Sequence, residues 1–180
     1  MRKIVAGLFI SLDGVTEAPD QWHFPYFDDA MGARVDALTA RSDTMLVGRK
    51  TYQEFAAFWP TAEMEMAEHM NGAPKLVVSR TLDTVDAWQN STLVEGDDPI
   101  ETLRKLKEGP GKDISVVGSS TLVRSLLRAK VLDELHLLVH PIAVCHGARL
   151  FDDGETVPLE LISVTPFGTG VLHTVYRPAE

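Results

Sequence analysis

Apolar and polar positions along this chain switch repeatedly between two periods. Lys3–Ile10 is apolar on both faces, the pattern of a strand buried on each side. Asp28–Arg41 places Met31, Val35 and Leu38 at helical spacing, with Asp28 or Asp29 near its cap. Thr44–Val47 predicts a short strand, followed by a helix from Lys50 with Tyr52, Phe55 and Trp59 on one face, ended by Pro60. A helical piece over Ala62–Met70 stops at Asn71-Gly72, and Lys75–Ser79 returns as a strand. Asp97-Asp98-Pro99 starts another helix, with Ile100, Leu103 and Leu106 facing inward until Gly109-Pro110-Gly111. Ile114–Val117 reads as a strand, and Ser120–Ala129 as a helix with Leu122, Val123, Leu126 and Leu127 inside. Leu135–Val139, Leu159–Thr165 and Val171–Tyr176 read as strands, the last two joined as a hairpin by Gly168-Thr169-Gly170. Strands alternating with helices over short connections predict a single α/β domain spanning residues 1–180. Its central sheet is mostly parallel, with helices on both faces and an antiparallel C-terminal hairpin.

Composition narrows the class. Hydrophobic content of 44% and charged content of 24% are those of a globular chain with a real core. No apolar run reaches the ~20 residues that span a bilayer. Basic residues precede the apolar start, but Asp13 and Glu17 follow at once, and the one small-residue site, Ala6-Gly7, lies inside the apolar stretch. This reads as a core strand rather than a leader, which makes the cytoplasm the expected location. Cys145 is the sole cysteine, so no internal disulfide forms; it reads as a small buried filler rather than a nucleophile. A net charge of −9 argues against nucleic-acid and membrane-surface binding, and any anionic ligand must be held by local donors.

Three junctions carry the candidate chemistry. They are Gly48-Arg49-Lys50-Thr51, Ser79-Arg80 and Gly118-Ser119-Ser120-Thr121-Leu122, each following an apolar run. Strand ends and following helix starts bind phosphates in α/β sheets, because free N–H groups and the helix dipole face the anion there. Gly48 lets backbone approach a phosphate, Thr51 offers a hydroxyl in the first turn, and Arg49 can clamp bidentately. Taken singly, each has a plainer reading: a capped surface helix with solvated cations, a turn, and a helix cap. The first is not a Walker A loop, which needs an earlier glycine and a Lys directly after the second one. Together they predict one long polyanionic cofactor laid across the sheet edge.

The order strand–Gly-Arg-x-Thr–helix, strand–Ser-Arg, strand–Gly-Ser-Ser–helix resembles the dihydrofolate reductase-like superfamily. It looks closest to the branch of the riboflavin-biosynthesis reductase domain and its stand-alone relatives. Ser11-Leu12-Asp13-Gly14 is similar to that branch's Ser-x-Asp-Gly loop, and Leu126-Leu127, Leu132–Leu135 and Gly147-x-x-Leu150-Phe151 match its C-terminal half. The resemblance implies NADPH as cofactor. Arg49 and Thr51 would meet the adenosine-side phosphates, with Lys50 adding charge, Ser79 and Arg80 the 2′-phosphate, and Gly118–Leu122 the pyrophosphate and nicotinamide ribose. Many members join a Gly-Gly pair by a cis peptide where this chain has Gly118-Ser119. Dihydrofolate reductases themselves pair the folate glutamate with an arginine where Pro74 stands, so weak activity on dihydrofolate is expected.

Trp22-His23-Phe24-Pro25-Tyr26-Phe27-Asp28-Asp29 resembles the family's Trp-x-x-Pro segment, where folate enzymes place the carboxylate that orients the pterin. Asp28 is therefore the candidate catalytic acid, with Asp13, Trp22, His23 and Asp29 toward the substrate; plain helix capping is the competing role for both acids of the pair. His136 and His140 would chelate a metal from a helix, but in a strand that spacing separates them by ~13 Å, so no metal is expected. The function implied is NADPH-dependent reduction of a small pteridine-like, ribosylaminopyrimidine-like or carbonyl substrate. The alternative is an NADP(H)-binding sensor or interaction protein without turnover. Stand-alone relatives generally pair, and the long apolar stretch Leu135–Val144 agrees with a homodimer.

Overall fold

In a computed structural model, residues 1–96, 98–152, 154 and 156–179 are described. Eight strands form one sheet: β1 (Ile4–Ser11), β2 (Ser42–Gly48), β3 (Lys75–Val78), β4 (Ser91–Leu93), β5 (Asp113–Gly118), β6 (Glu134–His140), β7 (Leu159–Pro166) and β8 (Leu172–Pro178). Their order is β4-β3-β2-β5-β1-β6-β8-β7. The first six in that order run parallel, while β8 is antiparallel to both β6 and β7. The mostly parallel sheet and terminal hairpin are thus as the alternation predicted.

Five helices fill the connections: α1 (Asp29–Ala40), α2 (Arg49–Phe58), α3 (Glu65–Gly72), α4 (Pro99–Glu108) and α5 (Ser120–Arg128). Parallel neighbours in register put the same residue parity on one face, so Ile4, Ala6, Leu8 and Ile10 of β1 join Ile114, Val116, Leu135 and Leu137. Leu103 of α4 and Leu122, Val123, Leu126 and Leu127 of α5 cover that face. On the opposite face, Met31 and Val35 of α1 pack on Phe9 and Leu138, and Tyr52 of α2 and Met70 of α3 pack on Met45, Val47 and Val77. Asp98 caps α4, its carboxylate accepting from Ile100 N and Glu101 N, as the Asp-Pro signal required. Asp97, the other acid of that signal, lies outside the described residues.

Two expectations are corrected. Cys145 is exposed, not a buried filler. The chain leaves the sheet at Pro141, so Ile142–Val144 are loop residues rather than a strand extension, and Cys145 turns with φ 65°. The second helical piece begins at Glu65, three residues after Ala62, because a 3-10 turn over Trp59–Thr61 first carries the chain past Pro60.

At the amino ends of the strands, Glu134, His136 and His173 form a buried chain. His136 Nε2 lies 3.0 Å from Glu134 Oε2, and His136 Nδ1 lies 3.0 Å from His173 Nε2. Burial opposes ionisation of Glu134, yet Lys3, His136 and Arg41 hold its carboxyl down to about 2. Burial, with the charges of His136 and Arg34, presses His173 down to about 4. Both folded values lie below the unfolded ones, so the stability these groups confer is complete above pH ~6.5 and lost on acidification. From His173 alone, stability at pH 4.5 should be lower than at pH 7 by on the order of 2 kcal/mol. Urea unfolding of the parent and of His173→Gln at the two pH values checks this; the variant should show a clearly smaller difference.

Candidate active site

Because β3, β2, β5, β1 and β6 are parallel neighbours, their carboxyl ends meet at one edge in that order. With strands ~4.8 Å apart, the row from β3 to β1 spans roughly 14 Å. All three predicted junctions lie on it. Two of them interlock. A Cβ on Gly48 would lie 2.6 Å from Ser119 Oγ, and one on Gly118 would lie 2.7 Å from Thr51 Oγ1. Gly118 also has φ +135°, which side-chain-bearing residues avoid. Glycine at both positions therefore lets the starts of α2 and α5 interlock in a close-packed cradle, with Ser119 and Thr51 occupying the space a Cβ would need. The Gly118–Ser119 peptide is cis. Ser119 Oγ caps α5 by accepting from Leu122 N, whereas α2 starts at Gly48 with no side-chain cap.

The cations around this cradle divide into two groups. Arg49 and Arg80 are exposed and form no ion pair among the described residues. Ser79 Oγ accepts from Thr81 N and Leu82 N, which leaves its hydroxyl proton to donate. Lys50 is engaged: its Nζ lies 2.9 Å from Glu17 Oε1. The Lys50 hydrogen bond, aided by Ala148 N–H, holds the Glu17 carboxyl below its ordinary range. Thr121 and Leu122 occupy the first turn of α5, and the Ser120 hydroxyl meets Thr16 Oγ1 at 2.6 Å. Residues 13–17 thus form a strap tied to the starts of both α2 and α5.

Asp13 anchors that strap. Its carboxylate accepts from Ser11 Oγ at 2.6 Å and from Val144 N and Cys145 N, each at 2.9 Å. The Ser11 bond first, then Val144, keeps this carboxyl far below the usual carboxylate range. Beyond the strap, Trp22 and His23 are buried and Trp22 Nε1 donates to Glu17 O. The His23 ring stacks on Phe9 at 4.5 Å. Asp28 caps α1, accepting from Met31 N at 2.8 Å, and Asp29 sits exposed in the first turn. His23 is thereby brought to the β1 and β6 end, against Phe9 and His140, while Asp28 serves as the cap of α1.

One residue here escaped the sequence reading. His140, in register with Ser11, is fully buried among Phe9, Trp22, His23 and Tyr26. Its Nδ1 lies 2.7 Å from Leu138 O, while its Nε2 and His23 Nδ1 have no partner. Burial lowers both imidazoles below their ordinary value, so both stand neutral at pH 7. In the sequence its spacing from His136 points only to a metal pair; its place follows from β6 flanking β1 and ending beside the Trp22 segment. Among the described residues no group of three or more potential ligands is placed to hold a metal.

The sequence matches the profile of the RibD C-terminal domain over residues 2–173. The chain belongs to that family. It is 30% identical over 183 residues to the uncharacterized protein YyaP of Bacillus subtilis, covering 98% of this chain and 95% of that one. Its fold is similar to that of a Shewanella sp. PV-4 protein named for riboflavin biosynthesis, with TM-score 0.74, 17% identity and full coverage of both chains. A pyrimidine reductase-like protein of Corynebacterium diphtheriae superposes with TM-score 0.70 at 16% identity, covering 99% of this chain and 92% of that one. Dihydrofolate reductase of Enterococcus faecalis, complexed with NADP(H) and RAB-propyl, gives 0.66 at 14%, covering 99% and 97%. This chain's fold is therefore one it shares with dihydrofolate reductase. No helix among the described residues is long and apolar enough to cross a membrane.

Proposed function

We propose that this RibD C-terminal domain protein is an NADPH-dependent reductase of a small heterocyclic or carbonyl substrate. The observation that carries the reading is the interlocked pair Gly48 and Gly118, where a Cβ at either position would strike Ser119 or Thr51, flanked by Arg49 and Arg80, which have no ion pair among the described residues. These residues fit a phosphate-bearing dinucleotide. Arg49 and Thr51 hold the adenosine-side phosphates, Ser79 and Arg80 the 2′-phosphate, and Gly118–Leu122 the pyrophosphate and nicotinamide ribose. Lys50 contributes by fixing Glu17 and the strap rather than by touching phosphate. Bound there, NADPH supplies the hydride.

The chain supplies position and a proton. Trp22, His23 and Asp29 line the substrate side, Asp13 holds the strap between the two halves, and Asp28 orients the proton donor. Oxidation of NADPH, followed by absorbance against pteridines, ribosylaminopyrimidines and quinones, tests the proposal. Turnover with a member of the panel supports it. Cofactor binding with no turnover would leave a sensor.

The protein works as a cytoplasmic homodimer in this reading. The support is the face of the β7–β8 hairpin that α4 and α5 leave uncovered, where Leu161, Val164 and Leu172 are exposed. Sedimentation at micromolar concentration should give a two-chain species, and Leu161→Glu with Val164→Glu should shift it to one chain. A single-chain parent would overturn the pairing.

A further inference from the structure

The sheet order puts the β7–β8 hairpin at the edge remote from β2 and β3. Where α1 meets that hairpin lies an open groove of about 500 Å³, lined by Ala30, Ala33, Arg34 and Ala37 on one side and by Thr165 and Phe167 on the other. A space of this size takes a small organic molecule rather than one or two waters. The alanines and Phe167 give it an apolar wall, and Arg34 gives it a charge. Arg34 is half-buried and forms no ion pair among the described residues.

The buried Glu134–His136–His173 chain ends at this groove. Thr165 pairs with His173 across the β7–β8 ladder, and the Phe167 ring lies within 11° of parallel to the His173 ring, their centroids 6.4 Å apart. The Arg34 charge acts on both histidines. Chemistry fixes each proton along the chain. Glu134 is ionised and can only accept, so His136 carries its proton on Nε2 and donates it there. Burial keeps both imidazoles neutral at pH 7, so His136 Nδ1 is an acceptor and takes the Nε2–H of His173. His173 Nδ1 is left with a lone pair; it has no partner among the described residues and is not sealed from solvent. One groove thus holds a cation that calls for an anionic oxygen and a nitrogen that calls for a donor.

We propose that this groove is a second binding site, for a small hydroxycarboxylate with an apolar body. Its carboxylate pairs with Arg34, its hydroxyl donates to His173 Nδ1, and its body lies against Ala33, Ala37 and Phe167. An anion that only accepts leaves the nitrogen unmet, and a neutral alcohol leaves the guanidinium unmet. A single arginine set against a net charge of −9 suits one negative charge rather than two, which favours a carboxylate over a phosphate dianion. The site lies across α1 from the cofactor edge and does not depend on the reductase reading.

Matched probes test it in the full-length protein: meta- and para-hydroxybenzoate against their methyl ethers, meta- and para-methoxybenzoate, which keep the charge and lose the donor. Long-range proton–nitrogen spectra of the histidine rings read the tautomers directly. Without ligand, His173 should carry its proton on Nε2, and a hydroxybenzoate should then move the Nδ1 resonance. The better hydroxybenzoate should bind about fivefold or more tighter than its ether, the margin of one hydrogen bond. Arg34→Gln should weaken that binding about tenfold or more, since a charge-assisted bond is lost. If Arg34→Gln alters the melting midpoint, the matched ethers in the parent protein carry the test alone. Ethers binding as tightly as the phenols, phenyl phosphate binding as tightly as either, or no binding at all overturns the proposal. So does a hydroxybenzoate that binds without moving His173 Nδ1, which would place it at another site.

Discussion

Asp28→Asn should fold as well as the parent and bind NADPH equally, yet lose ~10²–10⁴ in turnover. The capping role alone predicts none of this loss. Asp28 accepts from Met31 N at the start of α1, and asparagine caps a helix as well as aspartate does. The two roles separate because only the carboxylate can support protonation of a C=N or C=O bond while a hydride arrives. Steady-state kinetics beside a thermal melt decide it: an unchanged melt with unchanged turnover returns Asp28 to capping.

Gly118→Val should weaken NADPH binding by ~100-fold or more and lower stability by about 1–3 kcal/mol. A Cβ there lies 2.7 Å from Thr51 Oγ1, at φ +135°, so the new side chain pushes the two cradle loops apart. Gly72→Ala is the control, since nothing lies within 4 Å of its Cβ and its helix favours alanine. Calorimetric NADPH titration of both variants checks the pair. Parent-like affinity in Gly118→Val would show that the close approach of these loops plays no part in the cofactor site.

The sequence patterns that proved legible were those driven by burial. β1 is apolar on both faces because helices cover both, and α5 shows its inward face because Leu122, Val123, Leu126 and Leu127 all meet the core. The three-residue β4, Ser-Thr-Leu, was illegible: it is an edge strand with no buried residue and no period to detect. At the site, local signals marked the glycine junctions, but tertiary partners assigned the charges. Nothing local says that Glu17 takes Lys50, that Asp13 is consumed by Val144 and Cys145, or that His140 ends its strand beneath Trp22. Those facts depend on sheet order, which places β6 beside β1 and the 142–150 loop beside the strap.

The most direct test of the account is cofactor choice, read by quenching of the three tryptophans on titration with NADPH and NADH. Charge-assisted hydrogen bonds are worth about 1.5–3 kcal/mol each, so Arg80 on a 2′-phosphate suffices for tenfold discrimination. NADPH should bind at least ~10-fold tighter than NADH, and Arg80→Ala should erase most of the difference while sparing NADH. Equal affinity for the two cofactors, unmoved by Arg80→Ala, would contradict the placement of the dinucleotide along this sheet edge.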